Sequence, residues 1–463
     1  MKRWVSPWSC SLCSLIARCC LIFGVLSGCD SDAASFDFST RLIPSNVKKP
    51  MQIPTLDVLG VGLTVEMFRQ SAAFLEMNKV GDKLAIPQDQ KYYYWDASYR
   101  SLTVGTQREA NALEHGISYF VRGWQIPSVS VTGKKWFREK DADFLLNDDL
   151  VDDLRQPAGL HAHQTRQLKR IFNDLPESVL ESAFQFFEYY PEVPVLLLFV
   201  SDGEKFLGDG DHKLTDQTQG IAAILLVRRD RINAIRPYTR PSTGPKAYEP
   251  VQPPGLPPFH PSRFIPETWL DWQIKEFDAL PTIGIVHRPV TVSYMKDKDG
   301  KPTQDVQAKA GLMSDNDKQL AFQAGWKVAM SVLPEGKKQA RVFYDHGDPS
   351  HGKALVPLSL ALHLQDPDFD LFDAKHGYNI HRRLGETGAA SPFVMWANGL
   401  IATWRHKDAS VAVNLRDPNQ ATITVISPAN DMRRHPGGDP IDFGMAPVLS
   451  DLPSSATPAP LHK

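Results

Sequence analysis

The sequence predicts an α/β fold composed of two related halves. Two short runs of branched apolar residues, Val195–Val200 and Gly220–Val227, are typical of strands that are buried on both faces. Strands of this kind need layers packed above and below them, so we expect a large sheet with helices on both sides. The alternative is that one run is a buried helix segment, but short length and β-branching favour the strand.

The end of each half shows the same order of elements. In the first half a capping box at Ser178–Glu181 begins a helix with an apolar stripe, and this helix leads into the run at Val195. A Gly-containing connection and the second run follow. The second half ends in a helix and two strands, Val411–Leu415 and Thr422–Ser427. This shared order predicts that the halves are related.

Further elements are predicted at the start of the first half. Leu56–Leu63 is typical of a strand, and Thr64 is placed to cap a helix that runs to Asn78. Gly116–Val121 and Ser128–Val131 are short strand candidates.

The second half has a comparable series. Pro281–Tyr294 predicts a strand or a strand pair, and Arg341–Tyr344 predicts a short strand. Asp315 is placed to cap a helix with an apolar side. The residues assigned to that helix are Leu320, Phe322, Ala324 and Val328. Ala354–Leu364 predicts an apolar helix with Pro357 in its first turn.

Composition divides the chain into six segments. Ten prolines between Pro237 and Pro266 mark a linker, because proline removes backbone donors and fixes φ. The predicted segments are a lipoprotein signal peptide at 1–29, a tether at 30–53, an N-terminal α/β domain at 54–236, a Pro-rich linker at 237–266, a C-terminal α/β domain at 267–430 and a disordered tail at 431–463.

The first 29 residues have the pattern of a secretory signal, with basic residues before a short apolar segment. Leu26–Cys29 resembles a lipobox, which predicts lipidation of Cys29 and attachment to a membrane. Asp30 resembles the residue that keeps enteric lipoproteins in the inner membrane, so we expect the body to face the periplasm. An uncleaved anchor is the alternative, although the apolar run of about ten residues is shorter than the roughly 20 that a spanning helix needs. If the signal is not used, the protein is cytoplasmic.

All five cysteines lie within this signal segment. Cleavage before Cys29 leaves a body without a disulfide, a cysteine-ligated zinc or a thiol nucleophile. The formal net charge of −2 gives no reason to expect a nucleic-acid partner. We expect no cofactor and no bound metal.

Several polar residues are candidates for chemistry. His346, Asp348 and His351 could bind zinc or iron, but they lie in a Gly/Pro loop that is more typical of a surface turn. His161 and His163 have the spacing of a metal site on a strand, although polar residues before a helix explain them as well.

Ser201 and Asp202 follow a buried strand, where α/β proteins place residues that contact ligands. The sequence around Ser201 lacks a nucleophile elbow, which disfavours a hydrolase. Gly385–Ser391 opens a helix whose backbone N–H groups could hold an anion, although close packing also explains these small residues.

A distant resemblance joins two of these sites. A strand that ends at His346, followed by Gly385–Ala390 before a buried helix, resembles the second half of ketoacyl synthases of the thiolase-like fold. The resemblance implies a degenerate thiolase-like architecture. His346 matches the first histidine of those enzymes, whereas Glu386 stands where the second would fall. Since Cys29 is expected to be lipidated and no free thiol remains after cleavage, the nucleophile is missing and the activity is expected to be lost.

The chain from about Leu56 to Pro428 also resembles the type VI lipase adapter family. The matching segments are Leu56–Leu63 with Phe68–Gln70, Ala112–Gly116, Leu280–Pro289 and Arg383–Pro392. The resemblance implies a non-catalytic protein that binds a phospholipase effector and assists its delivery to the spike of the secretion machine. The lipobox at Cys29 departs from this, because an adapter that loads cargo should face the cytoplasm. A periplasmic partner that handles or neutralises the lipase is therefore an alternative.

A surviving enzyme is the competing hypothesis. It would be a hydrolase or a metal-dependent catalyst that uses Ser201 or His346. Stoichiometric zinc or iron that is lost in His346→Ala would favour it.

Overall fold

A computed structural model describes residues 52–81, 83–85, 102–133, 150–189, 193–202, 218–228, 230, 239–240, 269–303, 311–347, 353–429 and 439–442. The predicted signal peptide with Cys29 lies outside these residues, as do Asp348 and His351. The predicted Pro-rich linker at 237–266 also lies outside them, apart from residues 239–240. The bounds predicted for the two domains therefore stay predictions.

The main sheet is built from two sets of five strands that share one topology. The strands of the first half are β1 (Thr55–Val65), β3 (Gln125–Thr132), β4 (Gln164–Phe172), β5 (Val195–Asp202) and β6 (Gly220–Arg228). The strands of the second half are β9 (Gly284–His287), β13 (Gln339–Asp345), β14 (Gly377–Asn379), β15 (Ala409–Asn414) and β16 (Gln420–Ser427).

With each set numbered from one to five along the chain, both sets are arranged in the order 3-2-4-5-1. The fifth strand of each set is antiparallel to both of its neighbours, and the second strand is parallel to the third and the fourth. The predicted α/β class and the two related halves are confirmed.

The two sets join in one continuous sheet. Residues 55–58 of β1 pair antiparallel with β9, while the full length of β1 pairs with β6 on its other side. Short strands extend this arrangement. They are β2 (Phe68–Arg69), which pairs with β1, and β10 (Val290–Ser293), which pairs with β16. Two-residue pairs lie outside the main sheet, namely β7 (Thr239–Arg240) with β8 (Trp269–Leu270) and β11 (Met295–Lys296) with β12 (Gly311–Leu312).

Helices cover both faces of the sheet. Those of the first half are α1 (Ser71–Val80), α2 (Leu102–Ile117), α3 (Leu150–Arg155) and α4 (Ser178–Tyr189). Those that follow are α5 (Asp271–Ala279), α6 (Asp315–Met330), α7 (Leu355–Gln365), α8 (Ile380–Leu384) and α9 (Ser391–His406). Helix α9 is buried from Ser391 to Thr403 and contacts strands of both halves, β1 and β6 as well as β13 and β15. Among the described residues, no helix combines the length and apolarity that crossing a bilayer requires.

Helix α2 lies unusually close to β1, and glycine makes this possible. A Cβ atom added at Gly60 would lie 1.9 Å from the carbonyl oxygen of Gly116, and one at Gly62 would lie 1.7 Å from that of Ala112. A side chain at either position would therefore push the helix off the strand.

Two predictions in the first half are wrong. Thr64 does not cap a helix, because β1 continues to Val65 along its partner β6 and the chain turns before α1 begins at Ser71. Gly116–Val121 is not a strand, because α2 continues to Ile117 and packs Ala112 and Gly116 against β1.

Two predictions in the second half also differ from the structure. Asp315 is not the cap of α6, because the cap is Ser314, whose hydroxyl accepts a 3.2 Å hydrogen bond from the N–H of Asp317. Of the residues assigned to this helix, Phe322 is buried, whereas Leu320 and Val328 are 54% and 59% exposed. Residues 439–442 of the predicted disordered tail are packed on the body, and Ile441 is completely buried.

Candidate functional site

The predicted residues Asp202 and Glu386 are brought together at one edge of the sheet. Asp202 ends β5, and its Oδ2 accepts a 2.6 Å hydrogen bond from the N–H of Ala389 in the turn before α9. Gly388 in this turn has φ +57°, and a Cβ atom there would lie 2.1 Å from the same carboxylate oxygen. The small residues of Gly385–Ser391 are thus needed for close packing against Asp202. The anion held by the backbone of this turn is therefore the carboxylate of Asp202.

Ser201 is separated from this arrangement. It is buried, at 4% exposure, and immediately precedes Asp202 in β5. Because successive side chains of a strand point to opposite faces, Ser201 is directed away from the face on which Asp202 meets the turn. The structure therefore does not bring Ser201 together with Glu386.

His346 and Glu386 are connected through a residue that the sequence analysis missed, His381 in α8. The Nδ1 of His381 lies 3.2 Å from Oε2 of Glu386, and the rings of His346 and His381 are 6.0 Å apart. The Nε2 of His346 lies 3.2 Å from the side-chain amide of Asn379, while its buried Nδ1 has no hydrogen-bond partner among the described residues.

An ion network of Asp345, His381, Glu386 and Arg416, called here the Arg416 network, holds these elements together. Nη1 of Arg416 lies 3.0 Å from Oδ2 of Asp345 and 2.7 Å from Oε1 of Glu386. The hydroxyl of Ser391 also donates to Oδ2 of Asp345. Each carboxylate also accepts a 2.8 Å hydrogen bond from a backbone N–H group, Asp345 from Gly347 and Glu386 from Gly388.

The pKa values of Glu386 and His381 in the Arg416 network depend on each other. Burial alone would raise the pKa of Glu386, but the hydrogen bond from His381 and the charge of Arg416 outweigh it and lower that pKa to about 2. The hydrogen bond with Glu386 in turn raises the pKa of His381. With His381 protonated, two carboxylates face two cations. A carboxylate held ionised in this way is a weak base, so Glu386 is poorly suited to take up a proton near neutral pH.

The second histidine pair, His161 and His163, does not form a metal site in the structure. His161 is exposed, whereas His163 is buried and its Nε2 lies 3.1 Å from the carbonyl oxygen of Phe120. Burial lowers the pKa of His163. Within the described ranges, no group of three or more His, Cys, Asp or Glu residues is arranged to hold a metal ion.

A buried carboxylate connects the two halves behind this edge. Glu177, just before α4, accepts a hydrogen bond from the side-chain amide of Asn414 at the end of β15. Burial raises the pKa of Glu177 to about 7. The pair borders a small cavity of about 10 Å³, which is close to the size needed for one water molecule.

The sides of α6 and α7 that do not pack in the core carry exposed apolar residues. Leu320 and Val328 lie eight residues apart on α6, and Val332 follows just after the end of this helix. Val356, Leu360 and Leu364 follow α7 at intervals of four. These six residues, called here the α6–α7 apolar face, are between 42% and 61% exposed.

The two helices of this face lie side by side. Gln365 of α7 donates a 2.8 Å hydrogen bond to the carbonyl oxygen of Gln323 in α6. Their other sides pack into one core cluster that includes Phe322 and Leu358, so both apolar stripes point away from the sheet. Helix α7 has only three polar residues, Ser359, His363 and Gln365, whereas a helix that faces water normally carries a polar side. Exposed apolar side chains grouped on two neighbouring helices are typical of a protein interaction site.

Two family descriptions match the chain. Residues 54–213 match "Type VI lipase adapter protein Tla3, N-terminal", and residues 283–428 match "Type VI lipase adapter protein Tla3, C-terminal". Together the matches cover more than half of the chain.

Ketosynthases are among the solved structures with a similar fold. The ketosynthase from module 6 of the bacillaene synthase from Bacillus subtilis 168 is 11% identical with a TM-score of 0.44, over 81% of this chain and 72% of that one. The ketosynthase from module 1 of the bacillaene synthase from Bacillus amyloliquefaciens FZB42 is 10% identical with a TM-score of 0.45, over 81% and 76%. At such identities and scores, no residue role or activity is carried over to this chain.

Proposed function

Because the chain belongs to the type VI lipase adapter family Tla3, we propose that it is a non-catalytic partner that binds a lipase effector and assists its delivery to the secretion spike. The observation that carries this proposal is the α6–α7 apolar face. An adapter needs a surface that is stable when exposed and whose apolar area is buried against the partner on binding. The six aliphatic side chains of this face offer that area on rigid helices.

The Arg416 network supports the non-catalytic part of the proposal. Glu386 is held by Arg416 and His381, and Ser201 lies on the other face of its strand from Asp202. Of the predicted candidates, Asp202, His346 and Glu386 contact other parts of the chain, and Ser201 is buried. The competing enzyme would need Ser201 or His346 to be activated by a free base.

We further propose that Cys29 is lipidated and holds the body at the inner membrane, facing the periplasm. On this view, a role in handling or neutralising the lipase in the periplasm competes with delivery. Membrane fractionation of the wild type and Cys29→Ala tests the location, since only the wild type should sediment with membranes. Recovery of both in the soluble cytoplasm would overturn the lipidation.

The binding proposal is tested with the full chain and a purified type VI lipase effector from the same organism. The double variant Val356→Asp/Leu360→Asp places two charges in the face, and we expect it to weaken the complex at least tenfold, because buried unpaired charges are costly. The matched control is Leu312→Asp, since Leu312 is also an exposed leucine, at 58%, but belongs to β12 outside the face.

Circular dichroism melts of both variants establish that they fold. Equal lipase affinity for the double variant and the wild type would contradict docking at this face. Absence of any complex with the wild type would contradict the adapter function itself. Inhibition of the lipase in the isolated complex would favour the neutralising role over delivery.

A further inference from the structure

A short segment near the end of the chain is bound like a peptide ligand. Residues 439–442, with the sequence Asp-Pro-Ile-Asp, lie against the start of α1 and the end of α9. Ile441 is completely buried and Pro440 is buried beside it. The surface that receives them, called here the tail groove, is formed by Gln70, Ser71, Trp404 and Arg405.

The tail groove binds both the backbone and the side chains of the segment. The side-chain amide of Gln70 donates a 2.7 Å hydrogen bond to the carbonyl oxygen of Ile441. At the carboxyl side, Asp442 is paired with the guanidinium of Arg405 and accepts a 3.3 Å hydrogen bond from the N–H of Ser71. At the amino side, the indole N–H of Trp404 donates to Asp439 at 3.1 Å. Two carboxylates on either side of an aliphatic residue are thus recognised.

Asp442 meets a helix terminus that lacks a cap of its own. Gln70 precedes α1 without a side-chain capping bond, and the first turn of α1 contains no acidic residue. Backbone N–H groups at a helix start favour a negative charge. The carboxylate of Asp442 supplies that charge from a distance of 371 residues along the chain.

The tail groove is held in shape by its own contacts. Gln70 is completely buried, and its side chain also accepts from the N–H of Leu63 and donates to the carbonyl oxygen of Val61. Its backbone has φ +50°, a strained value for a residue with a side chain. Nε of Arg405 donates a 2.6 Å hydrogen bond to the hydroxyl of Ser71. Preformed donors of this kind lower the cost of binding a segment.

The groove and its occupant differ in how they relate to the family. Gln70 and Ser71 lie in the first matched range, and Trp404 and Arg405 lie in the second. Residues 439–442 lie beyond both. The receiving surface therefore lies within the matched ranges, and its occupant lies outside them.

We propose that the tail groove is a recognition site for a short peptide of the form Asp-x-aliphatic-Asp on a partner protein, and that residues 439–442 occupy it as a competing ligand in cis. A segment tethered by the nine residues 430–438 has an effective concentration on the order of millimolar. A partner peptide therefore binds only when its local concentration or affinity exceeds that of the tail.

The test uses the full chain and a fluorescein-labelled peptide that spans Pro436–Met445. In the variant Ile441→Asp/Asp442→Asn the tail is removed from the groove, and we expect it to bind the peptide at least tenfold more tightly than the wild type in fluorescence anisotropy. A peptide with Ile441→Asp should not bind. Adding Arg405→Ala to the variant should weaken peptide binding at least tenfold, because the carboxylate partner is lost.

Two controls keep the proposal open to contradiction. Asp368→Asn changes an exposed aspartate outside the groove and should bind as weakly as the wild type. If the double variant does not fold, Asp442→Asn alone should bind the peptide several-fold more tightly than the wild type. Equal binding by the wild type and a folded tail variant, or no binding by either, would overturn the proposal.

Discussion

Nη1 of Arg416 lies 2.7 Å from Oε1 of Glu386 and thereby ties the segment after β15 to the turn before α9. The same nitrogen reaches Asp345 at the end of β13, so one cation joins two carboxylates. The side chain of Asp345 is 1% exposed, and those of Arg416 and Glu386 are 13% and 19% exposed. The network therefore contributes mainly by preventing uncompensated buried charge.

Replacing Arg416 is expected to be severe. Arg416→Met keeps the length of the side chain but leaves Asp345 and Glu386 without their cation, so the free energy of unfolding should fall by about 3–5 kcal/mol. Urea denaturation followed by circular dichroism at pH 7 measures this. The control is Lys338→Met, which breaks the exposed pair with Asp366 and should cause no measurable loss. Similar stability of the two variants would contradict the importance of the network.

The pH dependence of stability should depend on Glu177. Its pKa is raised from 4.5 to about 7 in the folded chain, so folding retains a proton that the unfolded chain releases. The contribution of protonated Glu177 to the free energy of unfolding is fully present below pH 4.5 and is lost as the pH rises through about 7. Glu177→Gln mimics the protonated form. It should match the wild type near pH 4 and be more stable by about 3 kcal/mol at pH 8. Urea titrations at the two pH values measure the difference, and a constant gap would contradict it.

Neighbouring leucines of α7 should behave in opposite ways. Leu358 is completely buried, so Leu358→Ala should lower the free energy of unfolding by about 2–5 kcal/mol. Leu360 is 47% exposed on the α6–α7 apolar face, and Leu360→Ala should change it by less than about 0.5 kcal/mol. Thermal and urea unfolding of the two variants decide this. A large loss in Leu360→Ala would show that the face is covered within the chain itself.

The close approach of α2 to β1 predicts that Gly62 cannot carry a side chain. A Cβ atom would collide with the backbone oxygen of Ala112 at 1.7 Å, and backbone yields less readily than a side chain. Gly62→Ala should therefore cost roughly 1–3 kcal/mol or more. Gly311→Ala is the matched control, because a Cβ atom there meets nothing within 4 Å. Hydrogen exchange in α2 should increase only in the first variant. Unchanged exchange in both would contradict the tight packing.

The elements that the sequence predicted well are those whose pattern is local. The buried strands β5 and β6 are continuous branched runs, and α4 begins with its own capping box at Ser178. Gly116 was wrongly assigned to a strand, because a glycine inside a helix is recognisable only when the strand that it packs against is known. Leu320 and Val328 were assigned to the same helix as Phe322, but apolar spacing alone does not indicate which side of a helix is covered.

The candidate site was predicted only in part. His346, Asp202 and Glu386 were found because they lie at strand ends and in a Gly-rich turn. Arg416 and His381 were missed, since their partners are brought close by the fold and Arg416 lies 71 residues from Asp345. The apolar face could have been predicted from α7, because its sequence has too few polar residues for a helix that faces water.

Strand β1 pairs with strands of both halves, because its residues 55–58 pair with β9 while β6 lies on its other side. A gene split between the halves would give two fragments, each with an open apolar strand edge that invites pairing with other chains. Produced separately, the fragments should precipitate, and co-expressed they should recombine into a soluble heterodimer. The molecule is therefore suited to fragment complementation, in which reporter assembly requires both pieces to meet.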